Sequence, residues 1–182
     1  LLINILLSLV PVFLFLAVLV LLDSFKLLRL RSILLTIGVG SGVAIVSFFI
    51  NSRLIDLLAL QPTSYPRYIA PFIEETLKAG FIVYLIKTRK IGFMVDGAIS
   101  GFAAGAGFAL VENIYYLGAI TASSPLVWLV RGLGTAVMHG GTTAVFGIVA
   151  GKLSEEHASL NWRGSAAALG LAISTTTISY LA

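Results

Sequence analysis

The chain has 182 residues, and its only charged residues are 12 Lys or Arg and 8 Asp or Glu. With 58% apolar and 11% charged residues, it lacks the polar surface that a soluble domain of 19 kDa needs. A disordered chain has the opposite composition. The sequence therefore predicts an all-α polytopic membrane protein. Cysteine is absent, which excludes disulfides, thiol nucleophiles and Cys-ligated metals. A net charge of +4 is typical of membrane proteins with basic cytoplasmic loops, so we do not expect nucleic acid as a partner.

Apolar runs long enough to cross a bilayer predict a bundle of about six transmembrane helices. In chain order they cover about residues 1–22, 32–50, 68–86, 91–117, 125–150 and 164–181. The first run is too long for a signal peptide, and basic residues follow it where a cleavage site would lie, so we interpret it as a retained helix. We expect residues 1–182 to form a single transmembrane domain with a motif-bearing core at about 68–151. No internal repeat supports the inverted-repeat architecture of many transporters.

Basic residues are concentrated in three predicted loops, residues 23–31, 87–90 and 151–163. The loops at 51–67 and 119–124 carry few basic residues or none. Because Lys and Arg favour the cytoplasmic side of a membrane, this pattern predicts that the first three loops are cytoplasmic and that both ends of the sequence lie outside.

Glycines recur at intervals of four residues on two predicted helices. Gly97, Gly101 and Gly105 lie on the fourth helix, and Gly147 and Gly151 repeat the spacing on the fifth. Small residues at this spacing allow helices to approach closely in lipid, so we interpret them as packing positions and not as ligands.

The third helix carries three charges inside an apolar run: Glu74, Glu75 and Lys78. Each charge at the centre of a membrane helix costs about 2.5–3.5 kcal/mol even on a lenient scale. Glu74 and Lys78 are four residues apart, which predicts that they share a face and pair. Glu75 points about 100° away, toward a different neighbour. In an alternative arrangement the two carboxylates share a proton.

The fourth and fifth helices each add an ionisable side chain. Glu112 lies deep in apolar sequence, with Phe108 one turn before it and Asn113 beside it. His139 is the only histidine within a predicted span, and Thr143 follows it on the same face. Asp96, near the inner end of the fourth helix, has no evident partner, and we assign it no role.

The rise of an α-helix places these side chains at similar depths. Glu74 and Glu112 lie about 9 and 8 Å below the outer surface if their helices enter and leave the membrane near residues 68 and 117. His139 lies about 12 Å below it if Arg131 marks the interface. The sequence thus predicts that all three meet in the outer half of the membrane.

Ionisable side chains from three helices at one depth favour a functional site over a purely structural network, although Lys78 or His139 alone would favour the latter. Buried carboxylates are suited to act as general bases, and histidine to stabilise an oxyanion or carry protons. Glu and His can also hold a metal, but the usual His-Glu-x-x-His motif of zinc proteases is absent. A proton-coupled transporter or a catalytically inactive scaffold would use the same groups differently.

Three motifs in order resemble the PrsW family of bacterial and archaeal intramembrane proteases, which is related to CAAX prenyl proteases and bacteriocin-processing membrane proteases. They are Glu74-Glu75-x-x-Lys78, then Gly-x-Gly-Phe108-x-x-x-Glu112-Asn113, then His139 on the following helix. The resemblance covers about residues 71–151, the three central helices.

The resemblance implies a role for each motif. The Glu74–Glu75 pair would supply the catalytic glutamate that activates water, and His139 would stabilise the oxyanion. Glu112 stands where CAAX proteases place a histidine, which makes it the fourth candidate catalytic residue. The candidate supporting residues are Lys78, Phe108, Asn113 and Thr143. Of these, Thr143 departs from the pattern, because relatives often have Asn or Asp there.

Relatives are described both as metalloproteases and as metal-independent glutamate proteases. The resemblance therefore leaves open whether a divalent metal such as zinc is present or absent. The candidate ligands are Glu75, Glu112 and His139.

The resemblance also implies a substrate and a location. PrsW cuts a single-span anti-sigma factor on its extracytoplasmic side, in the plasma membrane of a bacterium. We therefore expect an endopeptidase of a bacterial or archaeal plasma membrane whose partners are a membrane-protein or peptide substrate and the lipid bilayer. The depth calculated from the helix rise agrees with cleavage on the outer side.

Overall fold

The computed structural model describes residues 2–22, 28–58, 65, 69–119, 124–156, 169–170 and 173–174. Every regular element among them is helical, which confirms the predicted all-α fold for this part of the chain. The helices are α1 (Leu2–Leu22), α2 (Leu30–Leu58), α3 (Ala70–Lys87), α4 (Met94–Ala119), α5 (Pro125–Thr135), a π-helical turn (Ala136–Gly141) and α6 (Thr142–Glu156).

Within the described residues, three helical segments are long and apolar enough to cross a membrane. They are α2, α4 and the continuous run Pro125–Ser154, which joins α5, the π-helical turn and most of α6. Helix α1 adds a shorter apolar segment, Ile3–Val18. The predicted count of six spans is not confirmed, and the predicted sixth helix (164–181) lies outside the described residues except at four positions.

Helix α4 is the central element of the fold. It is lined with buried Gly and Ala, and it packs against α2 on one side and against the π-helical turn and α6 on another. A Cβ atom on Gly97 would overlap the backbone of Gly147, and one on Gly105 would overlap the carbonyl group of His139. The four-residue glycine spacing on α4 therefore marks a helix crossing, as predicted, because only glycine allows backbones to approach so closely. Gly151 differs, since a Cβ there would meet only ordinary contact distances.

The start of α4 is fixed by Asp96. Its Oδ2 accepts hydrogen bonds from the backbone N–H groups of Gly92 and Phe93, both at 3.1 Å. The expectation that Asp96 has no partner is therefore wrong. A carboxylate in the first turn satisfies N–H groups that have no partner within the helix and complements the positive end of the helix dipole.

Candidate active site

A continuous chain of side-chain contacts joins four helical elements inside the bundle. The Nζ atom of Lys78, on α3, lies 2.5 Å from Glu75 Oε1 and 3.1 Å from His139 Nδ1, on the π-helical turn. The Nε2 atom of His139 lies 2.6 Å from Glu112 Oε2, on α4. The other oxygen of Glu112 accepts a hydrogen bond of 3.1 Å from Arg131 Nη2, on α5. The structure thus brings Glu112 and His139 together as predicted, and it is Glu75, through Lys78, that connects the third helix to them.

This chain runs from a fully buried end to a partly exposed one. Lys78, Glu75 and His139 are at most 2% exposed. The side chains of Glu112 and Arg131 are 12% and 22% exposed. Buried charges are tolerated when they are paired and hydrogen-bonded, and this chain provides two cationic and two anionic partners around one imidazole.

The hydrogen-bond partners determine how His139 is protonated. An ammonium group has only donor hydrogens, so Nδ1 accepts from Lys78. The proton of the neutral ring then lies on Nε2, which donates to the carboxylate of Glu112. With Lys78 as an ammonium group, these contacts assign His139 a neutral ring with its proton on Nε2.

Two aromatic rings flank the chain. The ring of Phe108 lies 4.7 Å from that of His139, centroid to centroid, and its face lies 4.5 Å from Lys78 Nζ. At the other end, the guanidinium carbon of Arg131 lies 3.6 Å from the centroid of the Tyr116 ring. Both cations are thereby held by a carboxylate and by the face of an aromatic ring.

The predicted pairing of Lys78 with Glu74 is wrong. Positions three and four residues apart are both neighbours on a helix, and Lys78 pairs with Glu75, three residues before it. The reason is tertiary: His139 and Phe108 lie on the Glu75 side of Lys78 and hold its ammonium group there.

Glu74 instead faces α2. Its Oε1 accepts from Asn51 Nδ2 at 3.4 Å, and the amide of Asn51 is oriented by Tyr65, whose hydroxyl donates to Asn51 Oδ1 at 2.9 Å. The second oxygen, Oε2, is buried and has no hydrogen-bond partner among the described residues. Glu74 also lies within electrostatic reach of Lys78 and Glu112.

Two of the predicted supporting residues serve packing. The amide of Asn113 points away from Glu112 and donates to Ser8 O at 3.1 Å and to Thr135 Oγ1 at 2.9 Å, which ties α4 to α1 and α5. The hydroxyl of Thr143 donates to the carbonyl oxygen of His139 at 2.8 Å. Thr143 thus contacts the backbone of His139. This hydrogen bond does not involve the imidazole ring.

The π-helical turn determines where His139 projects. A π turn holds one residue more than an α turn and changes the direction of the side chains that follow it. Gly105 of α4 lies directly against the His139 carbonyl group, and Gly140 packs against the ring of Phe102. These two glycines let α4 approach the turn closely enough for Glu112 to reach the imidazole.

Sequence reasoning did not assign Arg131, Asn51 or Tyr65 to the site. Arg131 was used only as a marker of the membrane interface, although an arginine in an apolar helix is itself a signal of a buried anionic partner. Asn51 and Tyr65 belong to the predicted loop at 51–67. In the structure, α2 continues past its predicted end at about residue 50 to Leu58, so Asn51 is part of the helix.

The model of the PrsW family, described as intramembrane metalloproteases, matches residues 29–177. The chain belongs to the PrsW family. It is therefore a peptide hydrolase embedded in a membrane, and the match extends over all the helices that form the site. No curated protein and no solved structure matched the chain.

The family description implies a metal, so we tested whether the PrsW motif residues of this chain fit one. Within the described part of the chain, no three His, Cys, Asp or Glu side chains are arranged as a ligand set. The candidate ligands Glu75 and Glu112 contact Lys78 and Arg131, and both nitrogens of His139 take part in hydrogen bonds with protein groups. In this arrangement, the residues do not fit a metal ion.

Proposed function

We propose that this PrsW-family protease hydrolyses a peptide bond of a membrane protein at a site formed by Glu74, Glu75, Glu112 and His139. The observation that carries the proposal is the buried chain of contacts from Glu75 through His139 to Glu112, which spans α3, the π-helical turn and α4. A membrane interior excludes ionisable groups unless they are needed, so such a chain favours chemistry over packing alone.

Glu74 is our candidate for the general base. Its Oε2 has no hydrogen-bond partner among the described residues, whereas Glu75 is held by Lys78. A water bound to Glu74 would attack the carbonyl carbon of the scissile bond as the carboxylate takes one of its protons. The same proton would then pass to the leaving nitrogen as the C–N bond breaks, which returns Glu74 to its carboxylate form.

His139 is our candidate for stabilising the oxyanion. Its Nε2–H donor is oriented by Lys78 on one side and by Glu112 on the other. The bound substrate oxygen would compete with Glu112 for this hydrogen, and Arg131 would keep the displaced carboxylate paired. A preoriented donor of this kind is worth most in a site of low dielectric constant.

The substrate and the membrane follow from the resemblance. We propose a single-span substrate of the anti-sigma-factor type, cut on the outer side of a bacterial or archaeal plasma membrane. The basic residues at 87–90, between α3 and α4, support this orientation, because they place the inner ends of both helices at the cytoplasmic surface.

The proposal is tested with purified protein in proteoliposomes that contain a single-span reporter peptide. We expect Glu74→Gln and His139→Asn to lower kcat by about 10²-fold or more, because each removes a proton-transfer or oxyanion group. The matched control is Asp56→Asn, which neutralises an exposed acidic residue of α2 and should leave kcat unchanged. Full activity of Glu74→Gln together with loss of activity in Glu75→Gln would transfer the base to Glu75.

A further inference from the structure

We infer that Lys78 and Arg131 supply the positive charge that a metal ion supplies in a metalloprotease, and that this chain holds its site together without a resident metal. The inference rests on the proposed site but concerns what neutralises and orients its residues. It departs from the description of the family, and four observations on the candidate ligands carry it.

The first observation is the use of the lone pairs. A metal is bound by an unprotonated imidazole nitrogen and by carboxylate oxygens that converge on one point. In His139 the Nδ1 lone pair accepts from Lys78, and Nε2 carries the proton that is donated to Glu112. Neither nitrogen of the ring offers a lone pair to an ion in this arrangement.

The second observation is the position of the ammonium group. Lys78 Nζ lies 2.5 Å from Glu75 Oε1 and 3.1 Å from His139 Nδ1. It therefore lies between this carboxylate and this imidazole and contacts both. A divalent ion placed there would have to displace a buried cation.

The third observation is that the ammonium site is built for its occupant. Lys78 is 1% exposed, and its Nζ lies over the ring of Phe108, 4.5 Å from the ring centroid. An aromatic face stabilises an ammonium or guanidinium cation. The same combination recurs at Arg131, between Glu112 and the ring of Tyr116.

The fourth observation is charge pairing. Glu75 pairs with Lys78, Glu112 pairs with Arg131, and His139 lies between the two pairs. Lys78 and Arg131 are therefore positioning residues. Lys78 donates to Nδ1 of His139, and Arg131 donates to the carboxylate of Glu112 that contacts Nε2 of the same ring.

The direct test measures metal in the full-length protein, purified from cells without added metal and without chelators. We expect elemental analysis to find far less than one zinc, iron, cobalt or manganese per chain. We also expect no cobalt absorption band when Co²⁺ is titrated into the protein, and unchanged reporter cleavage after treatment with a chelator. One equivalent of a co-purified metal, or activity that a chelator abolishes and the metal restores, would overturn the inference. Because metal content and Co²⁺ binding do not depend on turnover, a protein that cleaves no reporter would contradict the proposed function and still test this inference.

A second test addresses Lys78 through the ring it positions. The chain has two histidines, His139 and His157. Replacing the second (His157→Gln) leaves His139 as the source of the two imidazole nitrogen signals in a protein with ¹⁵N-labelled histidine. We expect the unaltered Lys78 site to show a single tautomer with the proton on Nε2. Lys78→Met should change that pattern and lower kcat at least tenfold with KM unchanged, and Lys78→Arg should restore part of both. An unchanged ring signal in Lys78→Met would overturn the positioning role.

A double variant keeps this second test valid if Lys78→Met folds poorly. Glu75→Gln with Lys78→Met removes both members of the Lys78–Glu75 ion pair, so Glu75 is not left as a buried carboxylate without its cation. We expect its thermal stability to recover while the ring signal stays altered. Recovery of the original ring signal would mean that Lys78 serves only to neutralise Glu75.

Discussion

At the scale of single residues, position along a helix does not decide which groups pair. Glu74 and Glu75 are adjacent carboxylates in one apolar helix, yet one pairs with Lys78 and the other faces Asn51. Helix geometry alone would allow Lys78 to pair with either Glu74 or Glu75. The choice depends on His139, which lies about 60 residues later in the sequence. Nothing in the sequence of the third helix itself indicates that His139 lies beside it.

Asn113 is the residue for which we predict an effect on stability with little effect on chemistry. It is fully buried and donates two hydrogen bonds to groups on α1 and α5. Asn113→Ala removes these two buried hydrogen bonds, so we expect the free energy of unfolding to fall by about 1–3 kcal/mol. Thermal unfolding in detergent measures it, with the exposed Thr76→Ala as the control, for which we expect a change below about 0.5 kcal/mol.

The activity of the Asn113 variant separates packing from catalysis. Below its unfolding temperature, Asn113→Ala should cleave the reporter with a kcat close to that of the unaltered protein. A large loss of kcat in a folded Asn113→Ala protein would return Asn113 to the site.

At the scale of elements, small residues place the site. Helix α4 carries Phe108 and Glu112 to the imidazole because its glycines let it contact the π-helical turn backbone to backbone. The glycine spacing was visible in the sequence and predicted a close crossing. The π-helical turn was not visible, because no residue pattern distinguishes Ala136–Gly141 from continuous α-helix.

Gly105→Ala tests this crossing. The added methyl group would overlap the carbonyl group of His139, and backbone atoms can relieve the overlap only if the two helices separate. We expect the free energy of unfolding to fall by about 1–3 kcal/mol. We also expect kcat to fall by more than the loss of folded protein accounts for, because the Glu112–His139 hydrogen bond lengthens. Reporter cleavage and thermal unfolding measure the two effects.

Two glycines of the same helix serve as controls for Gly105→Ala. Nothing lies within 4 Å of a Cβ built on Gly118, so Gly118→Ala should be neutral. A Cβ on Gly107 would overlap the backbone of Ile37 in α2, so Gly107→Ala should reduce stability at a crossing that does not involve His139. Equal losses of kcat in Gly105→Ala and Gly107→Ala would mean that general packing, and not the placement of His139, determines activity.

At the scale of the whole molecule, α4 is a buried axis around which the other described helices are arranged. In an apolar 18-residue stretch of α4, 72% of the residues are buried. The corresponding share for α2 is 28%, and its exposed apolar face is suited to contact lipid. The polar chain therefore crosses from α3 through the π-helical turn and α4 to α5 in the interior, where every charged group finds a protein partner.

The orientation of the molecule can be tested because the chain contains no cysteine. Thr88 and Ser124 are exposed at opposite ends of the helices, and each is replaced singly by cysteine. We expect a membrane-impermeant maleimide to label Thr88→Cys only from the cytoplasmic side and Ser124→Cys only from outside. The reverse pattern would place the chemistry on the cytoplasmic side.

The sequence by itself indicated that the chain lies in a membrane, that its fold is all-α, and which residues are candidates for the site. A chain with so few charges must lie in a bilayer, and the charges left inside its spans are too costly to be incidental. That reasoning led to Glu74, Glu75, Lys78, Glu112 and His139 without any contact information.

Only the tertiary structure decided how those groups are connected. It paired Lys78 with Glu75, brought Arg131 to Glu112, turned Asn113 away toward α1 and used both nitrogens of His139. The physical reason is that each ionisable group in lipid pairs with whatever opposite charge or hydrogen-bond partner the helix crossings bring within about 3 Å. Those crossings depend on glycine contacts between segments that are distant in sequence, and one of the segments contains the π-helical turn.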